Sequence, residues 1–343
     1  MLDAAPTSEA ELEERLSRPT IGLLQSFAGQ SGDLLVLGAG GKMGPSLARM
    51  ARRALDAVGS SARVVAVSRF RDPGVAHGLS ASGVDVVHAD LLDPASLAAL
   101  PDAAGVIFMA GQKFGTYGAP ADTWAMNAIV PVRVAERFVG RRLVVFSTGN
   151  VYPLTPAAGG GPLENATPGP VGEYAMSCLA RERIFEHAAL AHGTPVAIVR
   201  LNYAIDLRYG VLLDTARRVL AGQPVPLAMG YVNCIWQGDA NARALQCLEL
   251  TSSPADVLNV TGPDTISVRW LAQRFGELMG KAPLFRDVEA PDALLSNARR
   301  SVQLFGPPTV DLETLLHWTA DWLNRGGREL GKPTQFEARD GRF

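Results

Sequence analysis

Cysteine is scarce in this chain. Three thiols in 343 residues, Cys178, Cys234 and Cys247, stand far apart, with no C-x-x-C pair and no Cys/His cluster. That spacing excludes a disulfide framework and a structural zinc site, so no metal is expected, and it predicts a reducing, cytoplasmic setting. Long apolar runs are missing too. No stretch approaches the roughly 18 residues that a membrane span needs. The stretch from Ser8 to Glu14 is acidic, where a secretory leader would be basic and then apolar. Excess charge of either sign is absent, with 32 Lys and Arg against 34 Asp and Glu. A net charge of -2 argues against a nucleic-acid partner, whose binding rests on phosphate neutralisation. No internal repeat is found.

The chain is rich in short apolar runs separated by helical stretches. Runs at 34–37, 64–67, 84–88, 105–109, 143–146 and 195–201 read as strands, and a further one falls at 257–260. Helical patterns cover 45–58, 97–100, 123–139 and 174–191, and, later in the chain, 212–221, 239–250, 268–278 and 311–324. Continuous apolar strands without alternation belong to a sheet covered on both faces. Strand–helix repetition makes such a sheet parallel, with right-handed crossovers. The predicted fold is α/β, a Rossmann-type doubly wound parallel sheet with a smaller C-terminal substrate lobe. Its expected divisions are an N-terminal accessory helix in 1–30, a dinucleotide domain over 31–203 to which 236–262 return, and a lobe of 204–235 and 263–343. Ser8 and Glu11 fit a capping box for the accessory helix, which reads as a surface decoration.

The first strand runs into Gly38-Ala39-Gly40-Gly41-Lys42-Met43-Gly44, and a helix follows without a break. Glycine serves where φ turns positive, where backbone must touch a pyrophosphate, and where helix packs closely on strand. The helix that begins near Met43 aims its free amides at the phosphates. A glycine trio between strand and helix is therefore read as a dinucleotide turn. At the end of the second strand, where an acid usually holds the ribose hydroxyls, the chain has Ser68-Arg69-Phe70-Arg71. Arginine is a planar, permanently charged fork suited to phosphate, so NADP is expected in preference to NAD.

The spacing Gly38-x-x-Gly41-x-x-Gly44 resembles the extended short-chain dehydrogenases/reductases of the NAD(P)-dependent epimerase/dehydratase type. Later segments resemble them in the same order: His88-Ala89-Asp90-Leu91, Phe108-Met109-Ala110-Gly111, Trp124-Ala125-Met126-Asn127, Phe146-Ser147-Thr148, and a helix opening at Tyr174. The resemblance covers roughly residues 34–280. It implies that Asp90 and Leu91 lie beside the adenine and that Met109, Ala110, Gly111 and Ser147 border the cofactor. It also implies that Tyr174 carries a proton while Thr148 holds the substrate oxygen. A homodimer through helices 123–139 and 174–191 is implied in the same way. Tyr152, Asn202 and Tyr203 are the substrate-facing candidates, with a loop at Gly159–Gly161.

The lysine four residues after the tyrosine, which in this family grips the nicotinamide ribose and lowers the phenol's pKa, is here Cys178. A neutral thiol at that cofactor-binding position supplies no charge. Three readings stay open. Lys113, after the fourth strand, supplies the charge and the protein is an NADP-dependent oxidoreductase of a sugar-like small molecule. Alternatively it is an epimerase, isomerase or lyase using bound NAD(P). In the third reading it is a silent NAD(P)-binding regulator.

Overall fold

The computed structural model describes residues 3–113, 118–332 and 334–341, so the extreme ends of the first and last predicted divisions lie outside it. Seven parallel strands form the central sheet: β1 (Leu34–Leu37), β2 (Val64–Ser68), β3 (Asp85–His88), β4 (Gly105–Phe108), β5 (Arg142–Thr148), β6 (Val196–Leu201) and β7 (Asp256–Val260). Their order is β3-β2-β1-β4-β5-β6-β7, which places a topological switch point between β1 and β4.

Alternation within each strand feeds two cores. Leu34 and Val36 join one apolar cluster, and Leu35 and Leu37 the other. Val144 and Phe146 divide from Leu143 and Val145 in the same sense. Both faces are dry, which accounts for the unbroken apolar runs. Three helices cover the first face: α2 (Ile21–Phe27), α3 (Gly44–Ala57) and α10 (Gln237–Gln246).

The chain's first helix, α1 (Glu9–Leu16), starts as its sequence indicates: the Ser8 hydroxyl accepts from Glu11 N at 3.2 Å. The Glu11 carboxylate reaches back one residue further than the capping box requires, accepting from Thr7 N at 2.6 Å. The reading of one decorative helix is corrected on two counts. A second helix, α2, follows Pro19, and neither lies idly on the surface. Leu12 and Leu16 are fully buried in the apolar cluster of the later half of the chain, while Leu23 and Phe27 are buried against the sheet.

Between these and α10 the chain runs through α4 (Pro73–Ser80), α5 (Pro94–Ala98), α6 (Pro120–Trp124), α7 (Val130–Arg137), α8 (Gly172–His192) and α9 (Val211–Leu220). The helix expected over 123–139 begins earlier and is interrupted by a π turn at Ala125–Ile129, a local device frequent at functional sites. Helices α5, α7 and α8 cover the second face of the sheet. The later cluster is built from α9, α11 (Val268–Met279) and α13 (Leu312–Asn324), with α12 (Arg299–Phe305) packed against β7. α4 and α12 are absent from the sequence reading because each is short and carries no clear apolar period. Among the described residues no helix is long and apolar enough to cross a membrane.

Candidate active site

The glycine turn is fixed by close contacts. Gly38 has φ +89°, and a Cβ there would stand 2.5 Å from Ala110 N. At Gly44, the first residue of α3, a Cβ would stand 2.4 Å from the Ala39 carbonyl oxygen, so only glycine lets the helix close on the turn. Gly41 meets nothing nearer than 3.4 Å and is exposed, leaving open backbone toward the cleft. Met43 caps α3 without any side-chain bond, and among the described residues no side chain takes up the first helical amides. A turn shut by protein on two sides and open on the third, leading into free amides, fits a dinucleotide pyrophosphate.

Two cavities meet at this turn and share Gly38, Gly41, Met109 and Gly111. The first, of about 340 Å³, is lined by Gly40, Ser68, Arg69, Asp90, Leu91 and Ala110 as well. Half-exposed Arg69 approaches Asp90 at 3.8 Å. Phe70, at φ +40°, turns its ring edge onto His88, 5.3 Å between centroids. That left-handed backbone is uncommon for a bulky residue and marks this rim as a constrained one.

The second cavity, about 360 Å³, holds Lys42, Met43, Lys113, Ser147, Thr148, Tyr174, Asn202 and Tyr203. Lys42 spans the cleft, donating to the Ala204 carbonyl at 3.0 Å with its ammonium 4.4 Å from the Tyr209 ring centroid. Loss of water brings its pKa down to about 8, against the pull of nearby Asp206. The Lys113 ammonium lies 5.9 Å from the Tyr174 ring centroid, and burial brings it down to about 8 as well. The Tyr174 hydroxyl shares hydrogen bonds with Thr148 and Cys178, and burial holds its proton far more tightly than water would. Thr148 is fixed in turn, donating to Asn150 Oδ1 at 2.9 Å and accepting from Asn150 N at 3.2 Å. Asn202 donates to Asn233 Oδ1 at 2.7 Å, and Tyr203 adopts φ +43° at the cleft wall. The backbone after β4 is steadied by Asn127, whose side chain accepts from Gln112 N at 2.9 Å and donates to the Gln112 carbonyl at 3.1 Å.

Two expectations need correction. Tyr152 does not reach the cleft. Its hydroxyl is buried, donating to Asn259 Oδ1 at 2.8 Å and accepting from Arg200 Nη1 at 2.8 Å. Cys178 is fully enclosed behind Tyr174 and does not line either cavity, so the structure gives it no surface for a cofactor. Burial also pushes its thiol up, away from reactivity. Ser147 lies at the cleft where it was expected, and its one donor proton goes to Glu182 Oε1 at 2.5 Å.

Residues that sequence reasoning passed over complete the wall. Arg181 lies beside Tyr174 and Lys113, while Lys332 and Thr334 come from the folded-back tail. Thr334 is held there by Asp214, donating from Oγ1 at 2.6 Å and from N at 2.8 Å. Arg181 was legible as residue i+7 from Tyr174, two turns along the same face. The tail carried no such signal. Lys42, Lys113, Arg181 and Lys332 bring four cations to a cavity whose lining includes no carboxylate among the described residues.

Burial makes Lys42 a source of pH dependence. Its ammonium is present at neutral pH and lost as pH rises through about 8, below the 10.5 of a solvated lysine. The unfolded chain binds this proton more tightly, so folding stability gains as pH rises from about 8 toward 10.5. Lys42→Met is therefore expected to raise Tm at neutral pH while weakening dinucleotide binding at least about fivefold. Calorimetry and binding titrations across pH 7 to 9.5 check both signs, and a variant with unchanged or lowered Tm that keeps the wild-type pH dependence would refute the placement.

A profile of the NAD dependent epimerase/dehydratase family matches residues 34–228. Among solved structures, MoeE5 in complex with UDP-glucose and NAD is similar at 22% identity and TM-score 0.68, over 86% of this chain and 99% of that one. The UDP-glucuronic acid 4-epimerase from Bacillus cereus, in complex with UDP-glucuronic acid and NAD, matches at 18% identity and TM-score 0.71, over 85% of this chain and 99% of that one. The Thermus thermophilus UDP-glucose 4-epimerase in complex with NAD matches at 20% identity and TM-score 0.68, over 85% and 99%. A search of curated proteins finds no match. The fold and the glycine cleft define an NAD(P)-dependent extended short-chain dehydrogenase/reductase enzyme. The chain belongs to the NAD-dependent epimerase/dehydratase family.

Proposed function

We propose that this enzyme inverts a hydroxyl-bearing carbon of a sugar-like substrate, with NADP held in preference to NAD. The observation that carries this reading is the pairing of Tyr174 and Thr148 across from the glycine turn, within one cavity. Bound dinucleotide supplies reversible hydride acceptance. Gly38, Gly41 and the first amides of α3 would hold its pyrophosphate, and Lys42 would add charge. Thr148 orients the substrate oxygen. With the dinucleotide bound, Tyr174 would take the hydroxyl proton as that carbon gives up its hydride, and would return it when the hydroxyl is restored. Lys113 supports the phenolate while its ammonium persists, below about pH 8. NADP is favoured by Arg69 and Arg71 lining the adenosine half, where no acid ends β2.

Nucleotide-linked sugars are the first substrates to offer, since the similar solved structures hold UDP-sugars. Exposed Ile129, Val132 and Met176, on the paired helical segments of the second face, support a homodimer, and three unpaired thiols support a cytoplasmic setting. With UDP-glucose or UDP-glucuronic acid and catalytic NADP, proton NMR is expected to show an epimer without lasting gain of reduced-nicotinamide absorbance. Titration should give NADPH at least about tenfold tighter than NADH, with the difference lost in Arg69→Ala. Reduced cofactor accumulating in step with product would move the reading to net oxidation. Binding without any turnover would move it to a regulator.

A further inference from the structure

Arg181 is a buried cation without an acid. It is 5% exposed, and no carboxylate pairs with it among the described residues. The adjacent Glu182 is committed elsewhere, to Arg200 through two hydrogen bonds and to Ser147 through a third. Arg181 instead donates from Nη1 to the Phe146 carbonyl at 2.8 Å and from Nη2 to Asn127 Oδ1 at 2.7 Å. Its Nε is buried with no acceptor among the described residues. Room for the guanidinium comes from Gly111, where a Cβ would stand 2.6 Å from Nη2. An uncompensated buried charge is costly.

We infer that Arg181 is the fixed positive charge of the nicotinamide half of this cleft, in place of the cation that Cys178 does not provide; the inference rests on the dinucleotide reading. Arg181 lies three residues beyond Cys178 on α8, on the same helix face, and lines the cavity with Tyr174, Thr148 and Lys113. A guanidinium keeps its charge throughout the working pH range, whereas Lys113 loses its own near pH 8. It acts on Tyr174 through space, lowering the cost of the phenolate and opposing the effect of burial. It also holds Asn127, which in turn anchors Gln112 and so the backbone leading to Lys113. Arg181 is thus a positioning residue for both proton-handling groups.

Oxidised nicotinamide is cationic and reduced nicotinamide is neutral, so a fixed cation beside it must weaken the oxidised form selectively. The test compares the Kd of NADP+ and NADPH, by calorimetry, for wild type, Arg181→Met, Arg181→Lys and Lys113→Met. Arg181→Met is expected to shift the oxidised-to-reduced Kd ratio toward tighter NADP+ by about fivefold or more, while Arg181→Lys stays near wild type. A purely structural role would weaken both forms alike and leave the ratio still. If Arg181→Met fails to fold, the double variant Cys178→Lys/Arg181→Met returns a cation one turn earlier, and a wild-type ratio there supports the assignment. A ratio within about twofold of wild type in Arg181→Met, or a lowered one in a folded double variant, overturns it. Wild-type protein binding neither dinucleotide would overturn the cofactor reading itself, a different failure from an unmoved ratio.

Discussion

Truncating Glu182 to alanine should remove about 3–5 kcal/mol of folding stability, the range for breaking a buried ion pair from one side. Glu182 is wholly buried on α8 and takes both arms of Arg200, at 3.0 and 2.8 Å. Arg200 is 3% exposed and donates onward to Tyr152 and the Glu164 carbonyl, so it has no route to water once its partner goes. The carboxylate also receives Ser147, and the deletion strands that hydroxyl as well. Equilibrium denaturation in urea measures the loss. Replacing both partners by apolar groups, Glu182→Leu with Arg200→Met, should recover most of it, since the double change leaves no charge unpaired. A single variant that loses less than about 1 kcal/mol would mean that the pair is solvated in solution and does not bind α8 to β6 as described.

Tyr174→Phe should lower turnover by about 10²–10⁴-fold, the usual contribution of a positioned acid–base group, and leave the dinucleotide Kd within about twofold. The substitution keeps the ring, its packing and the nearby Lys113, and removes only the hydroxyl shared with Thr148 and Cys178. Binding and chemistry should therefore separate cleanly. Because burial holds the phenol protonated, wild-type turnover should climb with pH at first. Above about pH 8 the climb should falter, as Lys113 gives up the charge that stabilises phenolate. Steady-state kinetics with the epimerised sugar, over pH 6 to 9.5, measures both effects. A phenylalanine variant retaining more than about a tenth of the turnover would take the proton transfer away from Tyr174.

The sheet was legible because its strands are buried on both faces, and unbroken apolar runs such as Leu34–Leu37 admit few other readings. The glycine turn was legible for a related reason: Gly38 and Gly44 answer to contacts within a few residues or on the adjacent strand. That Tyr174 and Thr148 would share a cavity was legible from their order along the chain. The placement of Tyr152, one of the substrate-facing candidates, was not. Its orientation depends on Arg200 and Asn259, 48 and 107 residues away, which draw the phenol inward. Lys332 and Thr334 were equally hidden, because Asp214 holds that tail across a separation of 120 residues and no local period announces it. The four cations of the cleft come from four distant stretches, so a near-neutral chain showed no basic cluster before it folded.

The two opening helices carry a mechanical consequence. Leu12 and Leu16 are anchored in one core, Leu23 and Phe27 in the other, with a four-residue tether from Ser17 to Thr20 between them. Swinging the two halves apart as rigid jaws would uproot one pair, at roughly 1.5–3 kcal/mol for each side chain drawn into water. The segment works as a bolt against hinge opening. Lys332 and Thr334 line the cleft independently of that bolt, with Thr334 held by Asp214.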